Sequence, residues 1–255
     1  MLANTPSRQV KSVRTAFELI NRLQALGGAT PAQLTEELDL SKSSVHNYLA
    51  TLEMEGYLVN DGGTYRLGLR FLTHGTAAKN MTGIKRSVVG TVQAVADELA
   101  QSTWWVTEEL GRGYFIENAT PEGATTTYGR VGKRSYLHTH ALGKAILAGA
   151  SDEYVERVAD HHGLPGQTRR TTTDVGDLLV ELEAVRERGF AVSEGEAVLG
   201  ILSVGVGFRD ADDRRHAIGV FGHSRNFAGN HPENLGERLV ETVGDLEQRL
   251  QNEGK

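Results

Sequence analysis

The spacing of apolar positions changes character along the chain. From Val10 to Leu26, Val13, Phe17, Ile20 and Leu23, with Leu19 and Leu26, recur at three- and four-residue intervals. That period predicts a helix, and Gly27-Gly28 ends it. Thr30-Pro31-Ala32-Gln33 reads as a compact helix start. Thr30 supplies a cap, Pro31 suits the first helical position, and Gln33 stands where a capping box closes. This second helix ends near Asp39. Ser41 then caps a third, with Val45, Leu49 and Leu52 as its apolar stripe and Gly56 as its end. Lys42, Ser43, His46, Asn47 and Ala50 fall off the stripe and face outward, with Ser44 beside them. Tyr57-Leu58-Val59 and Thr64–Leu67 flank Asn60-Asp61-Gly62-Gly63, whose residues tolerate positive φ, so a hairpin follows. Helices joined by a tight turn and followed at once by a hairpin predict a winged helix-turn-helix. Its third helix enters the major groove of double-stranded DNA and its hairpin touches the backbone.

Gly68 to Asn80 continues as a helix of loose apolar pattern, read as a connector. The expected organisation is a DNA-binding domain over 1–67, a linker helix over 68–82 and a second domain over 83–255. The second domain opens with a helix from about Ile84 to Ala100, striped by Val88, Val92, Val95 and Leu99. The period then shortens to two. Thr103–Leu110 and Tyr114–Ala119 predict a hairpin, and Thr125–Val131 a further strand. Helices are expected at Ala141–Ala148, at Ser151–His161 with a capping serine, at Asp174–Arg188 closed by Gly189, and at Pro232–Gln251. Strands are expected at Phe190–Ser193, Ile201–Arg209 and His216–His223, with a turn at Asp210–Asp213. The fold class is α+β: a curved antiparallel sheet with helices on one side. Trp104 and Trp105 are adjacent on a strand and point to opposite faces, so one is expected near core or pocket and the other exposed or at an interface.

Composition narrows the function. The chain of 255 residues has a net charge of −6 and no cysteine. Thiol nucleophiles, thiolate zinc sites and disulfides are excluded, and an intracellular, cytoplasmic protein is expected. No apolar run reaches membrane-spanning length. The charge is uneven. Residues 1–80 carry 8 Lys+Arg against 7 Asp+Glu, whereas 81–255 carry 19 against 26. Only the N-terminal part approaches phosphates without strong repulsion. Arginine (20) far outnumbers lysine (7), a usage found in GC-rich or salt-adapted sources.

On these residues the chain resembles the IclR family of transcription regulators over nearly its whole length. Leu40 to Glu53 is similar to the family's recognition helix, and Tyr65-Arg66-Leu67-Gly68 with Leu72 and Gly75 to its wing exit and linker helix. Leu137-His138-Thr139-His140-Ala141-Leu142-Gly143-Lys144-Ala145 resembles the family's Leu-His-Ala-Thr-Ala-x-Gly-Lys-Ala segment, and Glu183–Glu194 the next signature. The resemblance implies a homodimer built through the DNA-binding domains, or a dimer of dimers. It also implies a GAF-like effector domain that takes a small organic molecule (sugar-derived, aromatic or keto acid), lined by Tyr128, Ala141, Leu142, Ser193, Ser203 and Phe221. Three segments depart from the pattern. His140 stands where Thr is usual, Val204–Phe208 lacks a proline, and Gly219 and Phe221 replace serines that face the ligand.

The candidate DNA contacts are Lys42, Ser43, Ser44, His46 and Asn47, with Arg14, Arg66 and Arg70 for phosphates. Asn reads adenine through two hydrogen bonds; the competing reading of the same residues is a solvated helix face. For the lining residues the competing reading is ordinary core. His138 and His140 share a face if their segment is a strand, and with His223 they would suit zinc, but polar or pocket-lining histidines are the preferred reading. No cofactor or metal is expected. Gly222–Asn226 lacks the closing glycine of a nucleophile elbow, and Gly200–Gly207 lacks the spacing of a nucleotide-binding loop, so no enzyme is expected. A rival of another class remains: a small-molecule sensor or enzyme whose N-terminal domain serves protein contacts.

Overall fold

Local chemistry sets the first three helices. The computed structural model describes residues 9–81, 86–124, 128–227 and 231–253. These fall into two compact units, one before and one after residues 82–85. In the N-terminal unit α1 (Lys11–Leu26) ends on Gly27 in the left-handed region. α2 (Pro31–Leu38) carries the full capping box: Gln33 N–H donates to Thr30 Oγ1, and Thr30 N–H donates to Gln33 Oε1. α3 (Lys42–Met54) starts on Ser41, whose Oγ accepts from Ser44 N–H at 3.2 Å. β1 (Leu58–Asp61) and β2 (Thr64–Leu67) form the hairpin, turned on Gly62 and Gly63 at positive φ. Tyr65 also exchanges both backbone bonds with Ala29, which anchors the hairpin to the α1–α2 loop. α4 (Arg70–Met81) follows and has no buried residue.

The core of this unit gathers Leu19, Leu23, Leu34, Val45, Leu49, Leu58 and Tyr65. α1 divides its apolar residues between two faces. Leu19 and Leu23 point inward, whereas Val13 and Phe17, expected in the same stripe, are 51% and 59% exposed.

The C-terminal unit holds α5 (Arg86–Leu99), β3 (Ser102–Glu109), β4 (Arg112–Ala119), β5 (Arg134–Tyr136), a 3-10 turn at Leu137–Thr139, α6 (Ala141–Ala148), α7 (Asp152–His162) and α8 (Val175–Arg188). β6 (Ala191–Glu194), β7 (Ile201–Arg209), β8 (Arg215–His223), a second 3-10 turn at Ser224–Phe227 and α9 (Pro232–Glu253) complete it. The six strands run antiparallel in the order β5-β4-β3-β8-β7-β6.

Both faces of the sheet are covered, not one: α6 with α8 behind it on one side, α5 and α9 on the other. Trp104 and Trp105 do point to opposite faces, and because each face is covered both are buried. No strand forms over 128–131, where one was expected; residues 125–127 of that stretch lie outside the described residues. Edge pairing with β4 is taken instead by Arg134–Tyr136. Ser151 stands at the N-cap of α7 without a side-chain cap bond.

Glycines place α6. Residues directly opposite one another on neighbouring antiparallel strands share a face, so Gly205 of β7 lies beside Gly219 of β8. A Cβ on Gly205 would stand 2.9 Å from Leu142 Cα, and one on Gly207 would stand 2.6 Å from the Ala145 carbonyl oxygen. The helix therefore rests directly on strand backbone, closer than any larger side chain permits.

Candidate nucleic-acid interface and effector site

α3 displays Lys42, Ser43, His46 and Asn47 to solvent while Val45 and Leu49 anchor it. Ser44 is half-buried, and its hydroxyl pairs with Ser41 Oγ at 2.8 Å, which draws it into the cap. The three arginines differ in availability. Arg14 is exposed on α1, held lightly by Gln9 at 3.0 Å and Glu18 at 3.5 Å. Arg66 sits on the hairpin, 3.3 Å from Asp61. Arg70 turns back onto the end of α3: it bonds the Glu55 carbonyl, lies 3.7 Å from the Glu55 carboxylate, and covers the Tyr57 ring. Exposed ion pairs of this kind are weak and yield readily to phosphate.

In the C-terminal unit, the six expected lining residues meet at the N-terminus of α6. Ser193, Ser203 and Phe221 form one row across β6, β7 and β8, continued by Ser102 of β3. Ser203 Oγ accepts the N–H of Ala141 at 3.2 Å, which satisfies one of the free donors of the first helical turn. Leu142 sits one residue further, over Gly205 and Gly219. Tyr128 comes from the loop after β4 and stacks on Phe221, with ring centres 4.9 Å apart.

Sequence reasoning missed the residues that complete this site. Phe115 lies edge-on to Tyr128 and to Trp104. Lys133 Nζ lies 3.2 Å from the centre of the Tyr128 ring. Burial, reinforced by the charge of Arg130, pushes the Lys133 ammonium down to about 8. Burial pushes the Tyr128 hydroxyl up to about 12. The signal for Lys133 was scarcity. After residue 81 the chain has four lysines; Lys144 is fully buried and Lys133 half-buried over Tyr128.

His138 and His140 do not share a strand face, because His138 lies in the 3-10 turn and His140 follows it as the cap of α6. His138 Nε2 donates to the Pro165 carbonyl at 3.3 Å. His140 is the N-cap of α6: its Nδ1 accepts from Gly143 N–H at 3.1 Å, and its Nε2 meets Ser135 Oγ at 2.9 Å. Burial, with the nearby charge of Lys133, pushes His140 down to about 3, so the ring is neutral. One turn along, fully buried Lys144 donates to both oxygens of Glu196 at 2.7 and 2.6 Å and to Glu181 at 2.6 Å. This pair joins α6 to the β6–β7 loop and to α8.

Comparison with known proteins agrees with both halves. Residues 12–62 match the IclR helix-turn-helix domain and residues 76–248 the bacterial transcriptional regulator IclR C-terminal domain. The chain is 30% identical to a probable HTH-type transcriptional regulator, ArcR, of Halobacterium salinarum, over 97% of each chain. The fold is similar to that of an IclR regulator from Alicyclobacillus acidocaldarius (TM-score 0.78, 23% identity, 97% of this chain and 100% of that one). It is also similar to that of an IclR homologue from Microbacterium hydrocarbonoxydans, crystallised with 4-hydroxybenzoate (TM-score 0.74, 20% identity, 93% and 99%). The chain belongs to the IclR family: it is a DNA-binding transcriptional regulator with an effector-binding C-terminal domain.

Proposed function

We propose that α3 reads the operator through Lys42, Ser43, His46 and Asn47, with Arg14 and Arg66 positioning the unit on phosphates. The observation that carries this reading is the one-sided display on α3: four polar residues exposed, with Val45 and Leu49 buried behind them. Asn47 suits a bidentate contact to adenine, and Lys42 a contact to guanine or phosphate. Arg70 holds the end of α3 against the start of α4 in this reading, and Ser44 keeps the cap.

The working unit is a homodimer, with two reading helices one turn of DNA apart. Support comes from the second apolar face of α1, where Val10, Val13 and Phe17 are 51% exposed or more, and from Leu69 and Leu72 at the start of α4. A second copy of the same surface is the self-complementary cover that a two-fold dimer supplies.

The effector occupies the N-terminal end of α6, bordered by Ser193, Ser203, Tyr128 and Phe221. Ala141 and Leu142 form the helical wall. Its binding shifts operator affinity only by as much as it distinguishes the DNA-competent state from the incompetent one. The test is fluorescence anisotropy of DNA from upstream of the chain's own gene, titrated with sugar acids, aromatic acids and short keto acids. At least one class changes operator affinity severalfold. A flat response across all three, with DNA binding intact, contradicts the effector half of the reading.

A further inference from the structure

The site at the N-terminus of α6 has donors and ring faces. The Lys133 ammonium lies over Tyr128 and is 5.7 Å from the centre of Phe115, and among the described residues no carboxylate pairs with it. Arg130 adds a second positive charge nearby. The Trp104 indole N–H is buried without an acceptor, and its ring packs against Gly129, next to Tyr128. Thr139 Oγ1 donates to the Tyr136 carbonyl at 2.8 Å. Both nitrogens of His140 are used within the protein, so it supplies no counter-charge.

We propose that Lys133 is the specificity-determining residue of the effector site, receiving the carboxylate of a flat aromatic acid whose ring lies on Tyr128. The inference rests on the placement of the effector proposed above and adds its chemical class. Lys133 now holds the position above Tyr128 into which a planar ring stacks. Its backbone is held, because Phe115 N–H donates to the Lys133 carbonyl at 3.0 Å, while the side chain remains half-exposed. A planar ring gains the aromatic face that the ammonium gives up. The ammonium in turn gains a charge-assisted hydrogen bond in a partly desolvated site. The Trp104 N–H provides a second donor for an oxygen-rich ligand. A saturated acid of equal size satisfies the ammonium and loses the ring contact; a neutral aromatic amide keeps the ring contact and loses the charge.

Calorimetric titration of the full-length protein with benzoate, cyclohexanecarboxylate and benzamide separates these terms. The wild type binds benzoate most tightly. Lys133→Met weakens benzoate roughly 10- to 100-fold and leaves benzamide unchanged, while Lys133→Arg retains most of the benzoate affinity. Circular dichroism on each variant confirms folding, and Lys133→Gln serves if the Met variant is unstable. Equal benzoate affinity in wild type and Lys133→Met overturns the proposal. So does a wild type that binds no aromatic carboxylate at millimolar concentration. The underlying placement fails differently: benzoate affinity falls in Lys133→Met but is untouched by Ser203→Val and Phe221→Ala.

Discussion

The imidazole of His140 does the work of a hydroxyl: its Nδ1 takes the N–H of Gly143 at 3.1 Å and so caps α6. The other nitrogen meets Ser135 at 2.9 Å, and Ser135 Oγ donates onward to the Gly113 carbonyl at 3.2 Å. The ring therefore carries its proton on Nε2 and remains neutral. His140 thus caps α6 and ties it to β5 and, through Ser135, to β4.

That arrangement predicts a pH dependence. His140 is pushed from an ordinary 6.5 down to about 3 by burial first and by Lys133 second, and His138 to about 4, again chiefly by burial. Between about pH 6.5 and 3 the unfolded chain binds protons that the folded chain refuses. The stability tied to the neutral rings is complete above about pH 6.5 and is lost progressively as pH falls. Each ring contributes up to about 1.4 kcal/mol per pH unit. Urea unfolding at pH 7 and pH 5 shows this slope, and His140→Ala reduces it. The variant also costs about 1–2 kcal/mol at pH 7 through the lost cap. An unchanged slope in the variant rules out His140 as the source.

Lys144 predicts an asymmetry between removing one partner and replacing the group. Its ammonium is fully buried between Glu196 and Glu181. Lys144→Met leaves two carboxylates facing each other without a cation and costs about 3–5 kcal/mol. Adding Glu196→Gln and Glu181→Gln restores a substantial part of that loss, because no unpaired charge then remains buried. Thermal denaturation of the single and triple variants decides it. A triple variant no more stable than the single one assigns the role of Lys144 to packing alone.

Phe17 carries the dimer prediction. At 59% exposure its substitution costs the isolated unit little. Phe17→Glu places like charges against each other across a two-fold contact. The elution volume and sedimentation mass shift toward the monomer, and operator affinity falls at least tenfold as the second reading helix is lost. A stable dimer in this variant places the subunit contact elsewhere.

The N-terminal unit was the more legible part of the sequence, for a physical reason. Its elements are short and locally encoded: Thr30 with Gln33, Ser41, and the Gly62-Gly63 turn each dictate backbone within four residues. What local pattern did not reveal was the double face of α1, because Val13 and Leu19 look alike in a period of 3.6 whether they face a core or a partner. In the C-terminal unit the strands were legible, but the covering of the second sheet face was not. Trp104-Trp105 showed that two faces existed without showing that α9, over a hundred residues away, packs on one of them. The row Ser193–Ser203–Phe221 depends on register between strands separated by loops, and Lys133 on a loop whose pattern is neither helix nor strand. Resemblance supplied Tyr128, Ala141, Leu142, Ser193, Ser203 and Phe221; contacts in space supplied Lys133, Phe115, Trp104 and the capping role of His140.

The proposed reading face of α3, with Lys42 and Asn47 exposed on it, is the part of the molecule that must meet DNA. The most direct measurement is anisotropy titration of operator DNA with the wild type and with Lys42→Ala/Asn47→Ala, at two salt concentrations. The double variant is predicted to lose at least tenfold in specific affinity, to show a salt slope shallower by about one unit, and to keep its melting temperature. An unchanged operator affinity in that variant contradicts the claim.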